Sequence, residues 1–136
     1  METNLRTYSP LALAYIGDAV FELFVRIRVT QTGMRPVNEF HKSATGLVNA
    51  GAQARMAEAL LPILSKEEEA IYRRGRNTRS ATIPKHASVS DYRKATGFEA
   101  LLGYLYLNGE NDRLTELMQS AVEAYDRKKI CEPTPE

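Results

Sequence analysis

The stretch LALAYIGDAVFELFVR, residues 11–26, decides the fold class of this chain. Ser9 and Pro10 precede it. Serine commonly caps helices, and proline suits the first helical position. From there to about Val29 the sequence is apolar on almost every side, which is typical of a helix buried in a protein core. Gly33 then predicts a turn.

The rest of the chain also predicts helices, and no segment shows the sustained alternation of a strand. A second helix is expected from Asn38 to about Leu61 and a third from the capping box of Ser65 and Glu68 to about Arg74. A fourth is expected from Ser90 or Asp91 to its end at Asn108 and Gly109, and a last one after Asn111. The polar, basic stretch after Gly75 is expected to be a long loop. The prediction is an all-α protein.

The length of 136 residues indicates one domain, which we place at residues 1–130, followed by a frayed tail at 131–136. Cys131 is the only cysteine, which excludes an intrachain disulfide and suits the reducing cytosol. The polar N-terminus does not resemble a signal peptide, and no apolar run approaches the roughly 20 residues of a membrane span. We therefore expect a cytoplasmic protein.

Acidic residues stand inside two helices that otherwise look buried. Asp18, Glu22 and Arg26 form one stripe at i, i+4 and i+8, and Glu99 is the only charge in TGFEALLGYLYL, residues 96–107. Arg26 is a natural partner for Glu22, whereas Asp18 and Glu99 have no obvious cation nearby in sequence. They could share a hard cation such as Mg²⁺ or Mn²⁺. Alternatively, each pairs with a distant arginine or faces a wet groove.

The charge of the chain is concentrated in one segment, although the net charge is only +1. Residues 71–94 carry seven basic residues and a single acidic one, Asp91. Such a segment can form an anion-binding face on a nearly neutral protein. The alternative is a basic loop that serves only solubility.

Two motifs make the sequence similar to a known family. AYIGDAVFELFVR, residues 14–26, resembles the signature helix of the ribonuclease III family, in which a bulky residue, Gly and Asp precede an apolar run. FEALLGYLYL, residues 98–107, resembles the second signature of that family. The similarity extends over nearly the whole chain with no double-stranded-RNA-binding domain after it, and together with RGRN at 74–77 it indicates the short branch, the Mini-ribonuclease III group.

This resemblance implies the all-helical endonuclease-domain fold of the family, acting as a homodimer whose two active sites face one valley. It implies Mg²⁺-dependent cleavage of double-stranded RNA, with Mn²⁺ as a substitute, and maturation of the 23S (large-subunit) ribosomal RNA precursor. Asp18 and Glu99 would then be the catalytic, metal-binding residues. The RNA contacts would be Arg73, Arg74, Arg76, Asn77, Arg79 and Lys85.

The sequence departs from the family pattern at three positions, because Leu11, Ala14 and Thr96 stand where ribonuclease III carries further acids. The number of metal ions is therefore left open, as is a contribution from Glu22. Two alternatives follow. One is a non-catalytic RNA-binding helical dimer associated with ribosome assembly, and the other is a helical protein-interaction module.

Overall fold

The computed structural model describes residues 4–79 and 88–131, and within these ranges it contains helices and no strand. The helices are α1 (Pro10–Thr30), α2 (Val37–Thr45), α3 (Ala50–Leu60), α4 (Lys66–Asn77), α5 (Val89–Leu107) and α6 (Asn111–Cys131), with short 3₁₀ helices at Leu5–Thr7 and Leu61–Ile63. The all-α prediction is confirmed. No described helix is long and apolar enough to cross a membrane.

Side-chain caps begin two of these helices as the sequence predicts. The Ser9 hydroxyl oxygen accepts a hydrogen bond from the Ala12 N–H at 3.1 Å. At the start of α4, the Ser65 hydroxyl accepts from the Glu68 N–H at 3.1 Å, while the Glu68 carboxylate accepts from the Ser65 N–H at 2.8 Å. These bonds satisfy N–H groups that a helix cannot satisfy internally.

Two boundaries differ from the sequence prediction. The single helix expected between Asn38 and Leu61 is two helices, because the chain leaves the helical path after Gly46 and Asn49 caps a new one by accepting from the Ala52 N–H at 2.8 Å. The basic stretch expected to be a loop is partly helical, because α4 continues to Asn77. Gly75 permits this continuation, since it lies buried against α5.

Helix α5 is the centre of the molecule, and it contacts α1, α3, α4 and α6. The Phe21 and Phe98 rings meet edge to face with centroids 5.2 Å apart. Leu101 and Leu105 of α5 and Leu117 of α6 extend this core and are almost completely inaccessible to solvent. Burying these apolar side chains is the main source of stability for a domain of this size.

Glycine allows α1 and α5 to cross in backbone contact. A Cβ atom at Gly17 would lie 1.7 Å from the Glu99 carbonyl oxygen, and one at Gly103 would lie 2.0 Å from the Leu13 carbonyl oxygen. A side chain larger than hydrogen therefore does not fit at either position without a shift of the helices. The crossing sets Asp18, the next residue along α1, beside Glu99.

Candidate active site

Asp18 and Glu99 lie in one pocket of about 360 Å³, which we call the Asp18–Glu99 pocket. It is formed by Leu11, Ala14, Tyr15 and Asp18 of α1, by Val48, Asn49, Ala50 and Gln53 before and within α3, and by Tyr92, Ala95, Thr96 and Glu99 of α5. The sequence predicts burial for both acids. In the structure Glu99 is half-buried, whereas Asp18 is exposed because the pocket opens to solvent.

The pKa of the Glu99 carboxyl is raised to about 9, and burial is the largest cause. A hydrogen bond with Asp18 and the negative charge of Asp18 are the other causes of this shift. Two carboxyl groups this close cannot both be ionised without a large repulsion, so the pair holds a proton at neutral pH. A cation between the two groups would replace that proton.

Neither acid has a basic partner among the described residues, since no salt bridge joins Asp18 or Glu99 to a lysine, arginine or histidine there. The alternative of pairing with a distant arginine is therefore unsupported in the described chain. Glu22 differs, because its carboxylate lies 2.8 Å from Arg26 Nη2 and it is not part of the pocket. Glu22 thus has the ordinary i, i+4 partner that its spacing predicts.

The donor set of the pocket fits a hard divalent cation that is held by few protein ligands. Asp18 and Glu99 offer carboxylate oxygens, the ligands that Mg²⁺ prefers. No group of three or more His, Cys, Asp or Glu side chains able to hold a metal occurs within residues 4–79 and 88–131. Leu11, Ala14 and Thr96 all line the pocket, so each departure from the ribonuclease III pattern removes an acid from this site.

The predicted RNA-binding residues that the structure describes line different hollows or lie outside them. Arg76 and Asn77 line a second hollow of about 410 Å³ together with Val89, Ser90, Arg93 and Lys94, which we call the basic hollow. Arg74 lines a different pocket with Glu67 and Tyr104. Arg73 pairs with Glu69 at 2.6 Å, Arg79 is exposed, and Lys85 lies outside the described residues.

Sequence reasoning missed three residues at these sites. Arg93 and Lys94 belong to the basic segment, but only the packing of α4 on α5 shows that they join Arg76 in the basic hollow. Lys94 also pairs with Glu58 at 2.8 Å, whereas Arg93 is exposed. The third is Gln53, whose place in the Asp18–Glu99 pocket depends on the break between α2 and α3.

Comparison with known proteins agrees with this architecture. Residues 11–110 match the model of the Ribonuclease III domain. The chain is 45% identical over 124 residues to the Mini-ribonuclease 3 of Symbiobacterium thermophilum, an alignment covering 91% of this chain and 95% of the relative. It is 48% identical over 118 residues to the Mini-ribonuclease 3 of a Thermoanaerobacter species, covering 87% and 83% of the two chains.

A solved structure has a similar fold. The X-ray crystal structure of a protein from Fusobacterium nucleatum superposes with a TM-score of 0.80 at 29% identity. The superposition covers 88% of this chain and 96% of the other. The helical arrangement described above is therefore shared over nearly the full length of both proteins.

Proposed function

Since the chain belongs to the ribonuclease III family and is therefore an endoribonuclease, we propose that it cleaves double-stranded RNA with a Mg²⁺-dependent centre at Asp18 and Glu99. The observation that carries this proposal is the pairing of the two acids in one open pocket without a basic partner among the described residues. Many nucleases hold divalent cations between carboxylates of this kind.

When bound, the cation supplies an acidified water, an oriented phosphate and compensation of developing negative charge. Asp18 and Glu99 would hold it, and Glu99 gives up its proton on binding. Because two carboxylates are few ligands, binding in the absence of RNA is weak and Mg²⁺ is needed in the millimolar range. Mn²⁺, which accepts the same oxygen ligands, is the expected substitute.

Phosphate contacts would provide most of the affinity for the duplex, because A-form RNA is recognised mainly by its shape. Arg76, Asn77 and Arg93 of the basic hollow are the strongest candidates, since they converge from two helices. Arg73, Arg74, Arg79 and Lys85 are the other proposed contacts. Each phosphate contact releases counterions, so affinity should fall steeply with salt.

A second copy of the chain is the proposed partner of an apolar face on α1 and α6. Leu23 and Ile27 of this face are 61% and 50% exposed. They line a hollow of about 590 Å³, whose other lining residues are Ile16, Ala19, Val20, Phe24, Tyr106, Asn111, Leu114, Thr115 and Met118. Large apolar patches of this kind usually mark an interface. A homodimer would present two active sites, one for each strand of a duplex.

The proposed physiological substrate is the precursor of 23S ribosomal RNA, cut in the cytoplasm during maturation of the large ribosomal subunit. The support for this assignment is the similarity to the Mini-ribonuclease III group. The second candidate is a non-catalytic RNA-binding dimer that assists ribosome assembly. It is favoured by the acid-poor pocket, in which Ala14 and Thr96 provide no carboxylate.

Cleavage of a long RNA duplex by the purified protein tests the proposed function. We expect cuts in both strands that require Mg²⁺ and stop when the metal is chelated. The same strands unpaired and a DNA duplex of the same sequence are the matched controls and should be cut far more slowly. Binding of the RNA duplex without any cleavage at millimolar Mg²⁺ would favour the non-catalytic dimer instead.

A further inference from the structure

Gln53 is a buried polar residue of the Asp18–Glu99 pocket that the proposed function leaves without a role. It is the fourth residue of α3, and only 4% of its surface is exposed. Its neighbours Ala52 and Ala54 are buried apolar residues. The Gln53 amide therefore belongs to the lining of the Asp18–Glu99 pocket and not to the outer surface of the protein.

The Gln53 amide has no hydrogen-bond partner within the described parts of the chain, unlike the nearby side chains of Asn49 and Thr96. The Asn49 amide donates to the Thr45 carbonyl at 2.9 Å and accepts from the Ala52 N–H at 2.8 Å. The Thr96 hydroxyl donates to the Tyr92 carbonyl at 3.0 Å. Among the described residues, Arg55 Nε is the only fully buried side-chain nitrogen or oxygen without a partner, so the Gln53 amide reaches the pocket itself. It is therefore available to bond a ligand that enters the pocket.

The chemistry of the amide restricts what that ligand can be. The pocket already contains two carboxyl groups, so a third acid would increase their repulsion, whereas a neutral amide adds no charge. Its N–H₂ group donates hydrogen bonds, and donors to an anionic oxygen form stronger bonds than donors to a neutral one. In a pocket for a phosphodiester, the non-bridging phosphate oxygens are the anionic acceptors that meet this donor.

We infer that Gln53 is a phosphate-binding residue that donates a hydrogen bond to a non-bridging oxygen of the phosphodiester held beside Asp18 and Glu99. This inference rests on the proposed nuclease function. It adds an uncharged contact from α3 to a site whose two acids come from α1 and α5. Such a contact acts on RNA binding as well as on cleavage, and both are measurable.

Gln53→Met tests the inference, because methionine has a similar length and no amide. We expect kcat/KM for duplex cleavage to fall roughly 10- to 100-fold, the usual loss for one hydrogen bond to a charged group. Gln53→Glu should be slower still, because its carboxylate repels the phosphate. Gln119→Met makes the same change at an exposed position of α6 and should leave cleavage unchanged.

Two further measurements separate phosphate binding from a structural role. In an Asp18→Asn background, where RNA is bound but not cut, Gln53→Met should weaken the affinity for duplex RNA. The midpoint of urea unfolding should stay about the same, because the amide makes no hydrogen bond within the described chain and reaches the pocket.

Each failure has a distinct pattern. If Gln53→Met cleaves and binds like the native protein, the inference is wrong and the nuclease function stands. A loss of cleavage matched by a loss of stability would assign Gln53 a structural role and also overturn the inference. If the native protein neither binds nor cuts duplex RNA, the proposed function fails and the inference fails with it.

Discussion

At the scale of single residues, the pairing of Asp18 and Glu99 lowers the stability of the metal-free protein as pH rises, while it provides the carboxylates of the proposed metal site. Burial and the neighbouring Asp18 raise the pKa of Glu99 to about 9, so the folded protein keeps a proton that the unfolded chain releases near the ordinary pKa of 4.5. A group that binds its proton more tightly in the folded state contributes less stability as pH rises between the two values. The metal-free protein is therefore expected to become less stable from about pH 5 to pH 9.

Glu99→Gln removes this titration while keeping the shape of the side chain. In metal-free protein, we expect the free energy of unfolding of the variant to exceed that of the native chain by an amount that grows with pH. The difference should grow by at most about 1.4 kcal/mol per pH unit. Urea unfolding at pH 5 and pH 8 measures it, and Glu123→Gln, an exposed change on α6, is the control. A difference that is the same at both pH values would contradict this account.

The sequence predicts some residues of the Asp18–Glu99 pocket and not others. Asp18 and Glu99 were recognisable because each is an acid in an apolar stretch with no obvious basic partner nearby in sequence, and the structure does bring them into one pocket. Their different exposure was not predictable, since it depends on where the pocket opens. Gln53 gave no signal at all, because a glutamine in a helix with alanine neighbours looks the same whether it faces solvent or a site.

At the scale of secondary structure, the crossing of α1 and α5 determines the geometry of the site. Gly17 and Gly103 let the two backbones touch, and the contact point of Gly17 is the Glu99 carbonyl oxygen itself. Gly103 follows Glu99 by one helical turn, where the absence of a side chain allows a close approach. The sequence could not predict that α1 is the helix that contacts Gly103, because helix periodicity defines the faces of one helix and not the helices that pack on them.

Gly17→Ala is expected to separate the two helices and misplace Glu99. The new Cβ would lie 1.7 Å from a backbone oxygen that cannot rotate away, so we expect a loss of at least about 2 kcal/mol in unfolding free energy and a loss of duplex cleavage. Urea unfolding and the cleavage assay measure the two effects.

Gly51→Ala is the matched control for this substitution. Its Cβ would meet Asn49 and Asp91 side-chain atoms only at 3.5 and 3.9 Å, which is ordinary contact distance. Alanine also favours the helix by up to about 1 kcal/mol. Equal effects of the two substitutions would show that the backbone contact at Gly17 does not matter.

At the scale of the whole molecule, the protein carries the Asp18–Glu99 pocket, the basic hollow and an apolar face of α1 and α6 that remains uncovered in the single chain. The apolar character of α1 on almost every side was visible in the sequence, and the core accounts for only part of it. Phe21 and Val25 are completely buried, whereas Leu23 and Ile27 are not. Which apolar residues remain at the surface could be learned only from the packing.

Leu23→Glu tests whether this face joins two copies of the chain. We expect the native protein to sediment as a dimer and the variant to sediment as a monomer, because a charge in an apolar interface is costly to desolvate. Met34→Glu is the control, since Met34 is 90% exposed and does not line the apolar face. A native protein that sediments as a single chain, even at high concentration, would exclude the proposed dimer.

If Asp18 and Glu99 act together as one catalytic centre, single-turnover cleavage of an RNA duplex should show it. The rates of native protein, Asp18→Asn, Glu99→Gln and the double variant would be compared at saturating Mg²⁺, with Asp112→Asn as an exposed control on α6. Residues that act as a unit show non-additive losses, so each single change should slow cleavage on the order of 10³-fold or more and the double change no further. Losses that multiply in the double variant, or a single variant that retains the native rate, would contradict the claim.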